Sequence, residues 1–164
     1  MSVLAPARDV SSAPLAPEAL GVIAARTARR IARRATRTAA RPGGRWYVRL
    51  RADEHYDVWL ISWGAGSSVD AHDHGGSSGA FAVVRGALVE HTIDSDRHER
   101  HRVVTAGGVR AFDAAHRHRV ANDDTRVALS VHVYSPPLAS MTFFDGRGDV
   151  DRVDPIEHTT LVVE

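Results

Sequence analysis

The sequence of 164 residues contains no cysteine and no lysine. Without cysteine there is no disulfide framework, and nothing in the sequence argues for an oxidising compartment. All 21 basic residues are arginine, a bias that indicates a GC-rich bacterial genome rather than a function. No apolar run approaches the roughly 20 residues of a membrane-spanning helix, and residues 1–9 are too short and polar for a signal peptide. We therefore expect a cytoplasmic protein with no membrane partner.

Positive charge is concentrated at the start of the chain. Residues 1–45 contain nine arginines against Asp9 and Glu18, whereas residues 46–164 contain twelve arginines against eighteen acids. From position 20 to position 35 apolar residues recur at helical spacing and arginines fill the other side, which predicts an amphipathic helix. We interpret residues 1–45 as a helical arm with a solvated basic face, and no nucleic-acid partner is expected. Contact of this face with nucleic acid or anionic lipid is the alternative.

The rest of the chain consists of short segments in which apolar and polar residues alternate. The predicted strands are 46–51, 58–63, 80–85, 87–93, 101–104, 110–112, 126–134, 141–144 and 159–163. Many short strands at this spacing indicate an antiparallel sandwich or a small barrel. The length and the 43% hydrophobic content suit one buried core. We predict a single, mainly β domain in which residues 46–164 form the barrel and the helix of the arm packs outside it.

A His-X-His motif, His72 and His74, is the most informative feature of the sequence. Side chains two residues apart on a strand point to the same side, so the two imidazoles can bind one metal ion. Five residues separate His72 from Gly66, and the motif continues to Gly79 and Gly86. This spacing is the first motif of the cupin barrel, except that Gly79 stands where a ligand glutamate is usual.

A second motif supplies a third histidine. It runs from Gly107 to His118 and Asn122, with three residues between the last two. His116 is an alternative ligand because it lies two residues from His118, but only His118 has the spacing to Asn122. Both motifs together predict a cupin (jelly-roll) β-barrel with a metal ion held by His72, His74 and His118 and by no carboxylate.

This ligand set has chemical consequences. Three neutral imidazoles leave a divalent ion with its full charge and, for six-coordinate iron, with about three open positions. Such a centre favours an anionic substrate. A thiolate is a suitable anion, since a bound metal lowers the pKa of a thiol.

A row of polar residues follows the two motifs. Ser130, His132 and Tyr134 alternate with apolar residues and therefore share one face of a strand. The alternative is an ordinary strand with its polar face in water. The pattern Ser-X-His-X-Tyr-Ser-Pro-Pro, placed after both cupin motifs, resembles the cysteine dioxygenase family. The resemblance extends from about residue 46 to about residue 145.

The resemblance implies a set of roles. The three histidines would hold ferrous iron, and the Ser-His-Tyr row would be a hydrogen-bonded triad whose phenol points at the iron. Tyr47 and Arg49 match a tyrosine-x-arginine motif that binds the substrate carboxylate, and Tyr134 also contributes to the substrate site. A guanidinium suits this role because it makes two parallel bonds to a carboxylate. Animal members carry a cysteine at the position of Gly79 that becomes linked to the tyrosine, and this thioether cannot form here.

The function that the resemblance implies is oxidation of L-cysteine by dioxygen to its sulfinic acid, with Fe(II) and no organic cofactor. A dioxygenase for another small thiol carboxylate, such as 3-mercaptopropionate, is the nearer alternative, although such enzymes usually have glutamine at the position of Arg49. A metal-binding cupin that senses a ligand while its basic helix contacts DNA is the more distant one. The expected partners are a small thiol and dioxygen, and a monomer is expected.

Overall fold

A computed structural model describes residues 13–34, 44–93, 99–156 and 162–163. These residues form one α-helix and twelve β-strands. In chain order the elements are α1 (Pro17–Ala32), β1 (Arg45–Ala52), β2 (Asp57–Trp63), β3 (Ser68–His72), β4 (Ser78–Arg85), β5 (Ala87–Ile93), β6 (Glu99–Thr105), β7 (Val109–Phe112), β8 (His118–Ala121), β9 (Ala128–Ser135), β10 (Ser140–Phe144), β11 (Val150–Pro155) and β12 (Val162–Val163).

The strands form two antiparallel sheets of six. The first sheet has the order β12-β1-β2-β9-β4-β7, and the second has the order β11-β10-β3-β8-β5-β6. Strands that follow one another in sequence are often in different sheets, as in β2 and β3 or β4 and β5, so the chain passes back and forth across one core. The predicted mainly β architecture is confirmed.

A glycine makes one of these passages possible. Gly86 separates β4 from β5 and has a φ of +76°, and a Cβ atom on it would lie 3.0 Å from the Cα atom of Ala128. Glycine is the residue that adopts this left-handed conformation without steric cost, and any side chain would also crowd β9. The turn between β4 and β5 thus explains why the last position of the first cupin motif is a glycine.

The helix α1 packs on the outer face of the first sheet, as predicted. Leu20, Ala24 and Ala28 recur at helical spacing and are buried against a layer of small apolar residues from β2, β4 and β9. Val131 and Val133 of β9 belong to this layer. The helix-side arginines at positions 26, 29, 30, 33 and 34 are exposed. No helix among the described residues is both long and apolar enough to cross a membrane.

The strand predictions differ from the structure mainly by omission. The predicted alternating segments match observed strands to within a few residues of their ends. β11 was not predicted, and β3 and β8, which carry His72 and His118, were assumed from the two motifs but given no bounds. The strand that carries the first motif ends at His72, and His74 lies just beyond it, although Asp73 still donates its N–H to the Thr142 carbonyl oxygen at 2.9 Å. The predicted helical residues after position 34 and most of the predicted strand 159–163 lie outside the described residues.

The asparagine of the second motif is structural. Asn122 is fully buried, and its side-chain amide donates to the carbonyl oxygens of Trp63 at 3.0 Å, Gly64 at 3.1 Å and Arg126 at 2.8 Å. It therefore connects the end of β2, the end of β8 and the start of β9. The spacing from His118 to Asn122 fixes β8, and with it the third histidine, relative to the first sheet.

Candidate metal centre and active site

Three histidines meet inside the barrel. His72 is the last residue of β3, His118 is the first residue of β8, and the two are directly opposite in the antiparallel pair. The His74 ring centroid lies 5.0 Å from each of theirs, and their own centroids are 4.8 Å apart. All three side chains are buried, and one nitrogen of each lies within 4.8 Å of the other two. The structure thus brings together the three predicted ligands.

Hydrogen bonds on the far side of two rings decide which nitrogen faces the centre. The Nδ1–H of His72 donates to the Asp70 carbonyl oxygen at 2.7 Å, and the Nδ1–H of His118 donates to the Glu90 carboxylate at 2.9 Å. Because these acceptors cannot donate, the Nε2 atom of each ring carries the free lone pair. This is the usual arrangement of metal-binding histidines.

His74 supplies the test of whether a metal fits. Both of its ring nitrogens are buried and have no hydrogen-bond partner among the described residues. Its ring stacks on Phe112 with centroids 4.8 Å apart. A buried imidazole without partners is unfavourable unless one nitrogen binds something that the protein side chains do not provide. A divalent transition-metal ion, which imidazole nitrogen binds well, fits this position.

The three clustered histidines are neutral in the folded chain. Burial lowers the pKa of His72 to about 3, and burial also lowers the pKa values of His74 and His118, with a further contribution from repulsion among the rings. A neutral imidazole has a lone pair to give, so a metal ion need not displace a proton at neutral pH.

A buried carboxylate that the sequence analysis missed supports His118. Glu90 of β5 is 2% exposed and accepts from His118 and from the Nε2 of His116 at 3.0 Å, and its second oxygen accepts from Arg110 at 2.6 Å. Burial alone would raise the pKa of Glu90, but these three donors outweigh it and hold that pKa well below its usual range. Both His116 and His118 thus bond to Glu90, but only His118 is also grouped with His72 and His74. Glu90 lies on the same strand face as the buried Leu88, a signal that could have identified it.

Replacing Glu90 by glutamine is expected to weaken metal binding by about 10- to 100-fold, because the neutral amide no longer fixes the His118 ring as firmly or raises its basicity. Competition with a chelator of known affinity measures the change. Glu99→Gln is the matched control, since Glu99 is an exposed carboxylate on the neighbouring strand and pairs with His91, which is not one of the three ligands. Equal metal affinity in the Glu90 variant and the parent protein would contradict this role.

A chain of hydrogen bonds runs along the inner face of β9. Ser130 and the Nε2 of His132 are 2.9 Å apart, and the His132 Nδ1 lies 3.1 Å from the Tyr134 hydroxyl. A fourth member, Trp63 of β2, donates its indole N–H to Ser130 at 2.8 Å. All eight residues of β9 are buried, so the polar face of this strand is inside the barrel and not in water.

The hydrogen-bonded chain of Trp63, Ser130, His132 and Tyr134, which we call the relay, has a direction that Trp63 sets. An indole N–H can only donate, so the Ser130 hydroxyl is free to donate to the Nε2 of His132, and the Nδ1–H of His132 then donates to the Tyr134 oxygen. Burial lowers the pKa of His132 to about 3, which keeps the ring neutral. Burial and, secondly, the charge of Asp57 raise the pKa of Tyr134 well above its usual value. The phenol therefore keeps its proton and can donate it to a fifth partner.

Tyr134 lies beside the histidine cluster. Its ring centroid is 5.1 Å from that of His74, and its position on β9 is directly opposite Gly79 of β4. A Cβ atom on Gly79 would lie 2.9 Å from the Tyr134 ring and 2.5 Å from the Phe112 ring. The absence of a side chain at position 79 thus lets Phe112 and Tyr134 pack on either side of His74.

The two residues predicted to bind the substrate lie on the wall next to the relay. Arg49 places its guanidinium 5.6 Å from the centre of the Trp59 ring, and Tyr47 packs edge-on against the same ring at 5.9 Å. A second arginine of β1, which the sequence analysis did not consider, acts electrostatically on histidines of the site. Arg45 lies over Tyr47 and Trp63, and its charge helps to lower the pKa values of His72 and His132.

Comparison with known proteins agrees with this geometry. The family model described as "Cysteine dioxygenase type I" matches residues 41–147, which include every residue of the site. The chain belongs to the cysteine dioxygenase type I family. Cysteine dioxygenase type 1 of Danio rerio is 32% identical over 114 residues, which are 62% of this chain and 57% of that protein. The chain therefore spans little more than half the length of this relative.

Solved structures confirm the cupin fold of this family member. A protein of Thermus thermophilus matches 61% of this chain and 90% of its own, with a TM-score of 0.53 and 19% identity. A cupin superfamily protein from Desulfitobacterium hafniense matches 60% of this chain and 83% of its own, with a TM-score of 0.52 and 16% identity. An oxalate oxidase in complex with glycolate matches 66% of this chain and 60% of its own, with a TM-score of 0.55 and 19% identity.

Proposed function

We propose that this member of the cysteine dioxygenase type I family is an iron-dependent enzyme that oxidises L-cysteine with dioxygen to cysteine sulfinate. In this reaction R–SH and O2 give R–SO2H. Both oxygen atoms enter the sulfur, and the electrons that sulfur loses are those that dioxygen gains, so no external reductant is required. The observation that carries the proposal is the buried set of three neutral histidines beside a protonated phenol at the end of a directed relay.

The three histidines are the residues that would hold the iron. When bound, ferrous iron supplies the electronic coupling that triplet dioxygen lacks and favours the thiolate form of the substrate. Because the ligands carry no charge, an anionic sulfur is well matched to this position. The surrounding aromatic rings, including Phe112 and Phe143, exclude water from it and strengthen electrostatic interactions there.

Tyr134 would act as a hydrogen-bond donor to the oxygen atoms as they gain charge. The relay from Trp63 holds the phenol oxygen from behind, so the O–H bond is directed away from His132 and toward the interior. A donor that is fixed before the reaction needs no reorganisation when charge develops, which is the general basis of electrostatic catalysis. His132 and Ser130 act through Tyr134 and are positioning residues.

The inner arginines of β1 support a carboxylate-bearing substrate. Arg49 and Arg45 both lie on β1, in the same sheet as the relay strand β9, and Tyr47 lies between them in sequence. Both candidate thiols, cysteine and 3-mercaptopropionate, have a carboxylate that Arg49 could bind. A non-catalytic sensor is disfavoured by the buried relay, which such a protein does not need.

The test is oxygen uptake by the full iron-loaded chain with cysteine, 3-mercaptopropionate and cysteamine supplied separately. We expect cysteine to be oxidised fastest and its product to gain the mass of one dioxygen molecule. Faster oxidation of 3-mercaptopropionate would favour the second candidate. Oxygen uptake with none of the thiols, by protein that holds one iron ion per chain, would contradict the proposed function.

Replacing Arg49 by glutamine is expected to lower kcat/KM for cysteine by about 10- to 100-fold, since a charge-assisted pair with a carboxylate contributes roughly 1.5–3 kcal/mol. Iron content should not change, because Arg49 is not one of the metal ligands. Steady-state oxygen uptake checks this, with Arg45→Gln as the matched variant on the same strand face. A large loss in Arg45→Gln together with a small loss in Arg49→Gln would assign the carboxylate to Arg45 instead.

A further inference from the structure

A second buried acid lies on the wall of the barrel. Asp57 is the first residue of β2, is 0% exposed, and is directly opposite Tyr134 of β9. Its Oδ2 atom accepts the Leu138 N–H at 3.2 Å, but its Oδ1 atom has no hydrogen-bond partner among the described residues. A buried carboxylate oxygen without a donor is costly, so it is the kind of group that a ligand can satisfy.

Several groups around Asp57 affect the ionisation of its carboxyl group. Burial raises the pKa of Asp57 to about 6, and Trp59, the Leu138 N–H and the charge of Arg49 act in the opposite direction. The Trp59 indole N–H lies near enough to favour the carboxylate, yet the geometry between them does not amount to a hydrogen bond, and within the described chain this N–H is itself unpartnered. The remaining neighbour, Tyr134, is protonated. Asp57 is therefore mostly ionised above pH 7.

Asp57 offsets part of the positive charge that Arg49 and Arg45 give this wall. A lone arginine would attract any thiol that carries a carboxylate, whether or not an amine is present. The nearby carboxylate cancels part of that attraction for a plain anion, but it favours a substrate that also offers N–H donors. In an α-amino acid the amine and the carboxylate are attached to the same carbon, so a substrate held by Arg49 brings its amine close to this wall.

We propose that Asp57 is a specificity-determining residue that makes the site select thiols with an amine beside the carboxylate over thiols with a carboxylate alone. The proposal rests on the thiol substrate proposed above and goes beyond it, since it assigns the discrimination to the Arg49–Asp57 pair and not to Arg49 by itself. It also accounts for the unpartnered Oδ1 atom, which accepts from the substrate amine.

Asp57→Asn tests the proposal with little change in shape. The amide oxygen can still accept the Leu138 N–H, so the variant removes the negative charge and keeps the structural contact. We expect the ratio of kcat/KM for cysteine to kcat/KM for 3-mercaptopropionate to fall by about tenfold or more, the effect of one charge-assisted hydrogen bond. Anaerobic titration calorimetry of the iron-loaded protein should show the same change in the ratio of dissociation constants. Asp154→Asn, which changes a half-exposed acid on β11, should change neither ratio.

The parent protein provides a second test that needs no variant. As pH falls from 7.5 through 6, Asp57 takes up a proton and loses its charge, so the preference for cysteine should decline toward that of Asp57→Asn. The carboxylates of both thiols stay ionised over this range and both thiol groups stay protonated, so the ratio reports on the protein.

The outcomes separate the two proposals. Ratios unchanged within about twofold in Asp57→Asn, or a flat ratio between about pH 5 and 7.5 in the parent protein, would overturn the role of Asp57 while leaving the dioxygenase activity in place. Binding of cysteine with the expected preference but without oxidation would support Asp57 and contradict the activity. Failure of the parent protein to bind either thiol would overturn both.

Discussion

Replacing His118 by alanine is expected to abolish iron retention and turnover, whereas replacing His116 by alanine should preserve both. Loss of His118 leaves two imidazoles that are two positions apart in one chain segment, and the metal affinity should fall by more than the roughly 100-fold associated with a supporting residue. The reason for the contrast is geometric: His118 faces His72 and His74, while His116 bonds to Glu90. Iron content after dialysis against a weak chelator, measured by atomic spectroscopy, checks the prediction.

His116→Ala removes one of three donors to Glu90, so a loss of up to about tenfold in iron affinity is compatible with this interpretation. His72→Ala and His74→Ala should behave like His118→Ala. Stoichiometric iron in His118→Ala together with loss of iron in His116→Ala would show that the wrong histidine of the pair has been assigned to the metal.

Tyr134→Phe is expected to retain iron and to bind cysteine with nearly the affinity of the parent protein, but to lower kcat by about 100- to 1,000-fold. This is the usual cost of removing one preorganised donor to a developing charge. The phenol hydrogen bond matters most while the oxygen atoms gain charge, so the loss should appear in kcat and not in the binding step. More dioxygen should also be consumed per sulfinate formed. Steady-state oxygen uptake combined with product quantification measures both quantities.

Tyr56→Phe is the matched control, because Tyr56 lies outside the site and packs against Arg51. It should leave kcat and coupling unchanged. If Tyr134→Phe also had the parent rate and coupling, the phenol would have no part in the reaction, and the row from Ser130 to Tyr134 would be no more than a buried polar face.

The parts of the site that the sequence predicts are those encoded within a few residues. The relay members alternate along β9, so strand geometry places them on one side. His72 and His74 are two positions apart, although His74 lies just beyond the end of β3. The third histidine needs the resemblance to a family, because nothing local links it to the other two. Its pairing with His72 is set by the antiparallel register of β3 and β8.

The residues that the sequence analysis missed are joined to the site by contacts between distant parts of the chain. Glu90 and His118 are 28 positions apart, and Trp63 and Ser130 are 67 apart. An acid or a tryptophan within an apolar strand gives no local sign of its partner. Asp57 is similar, since its neighbours Arg49, Tyr134 and Leu138 come from three different segments.

The strands that were missed also have a physical explanation. β3 and β8 have only five and four residues, and each has one histidine of the site at a position where a β-branched or aromatic residue is typical. β11, with the sequence Val-Asp-Arg-Val-Asp-Pro, lies at the edge of the second sheet and is mostly exposed, so it lacks the alternation of a half-buried strand. Strand prediction depends on an alternating hydrophobic pattern. The site residues interrupt this pattern in β3 and β8, and exposure at the sheet edge removes it in β11.

The packing around Gly79 restricts how this protein could evolve. A cysteine introduced at position 79 would overlap the Phe112 ring before its sulfur came near Tyr134. The Phe112 ring would therefore have to move or be replaced by a smaller side chain, and either change would weaken its stacking on His74. Gly79 and Phe112 thus form a matched pair, in which the missing side chain of one leaves room for the ring that supports the histidine.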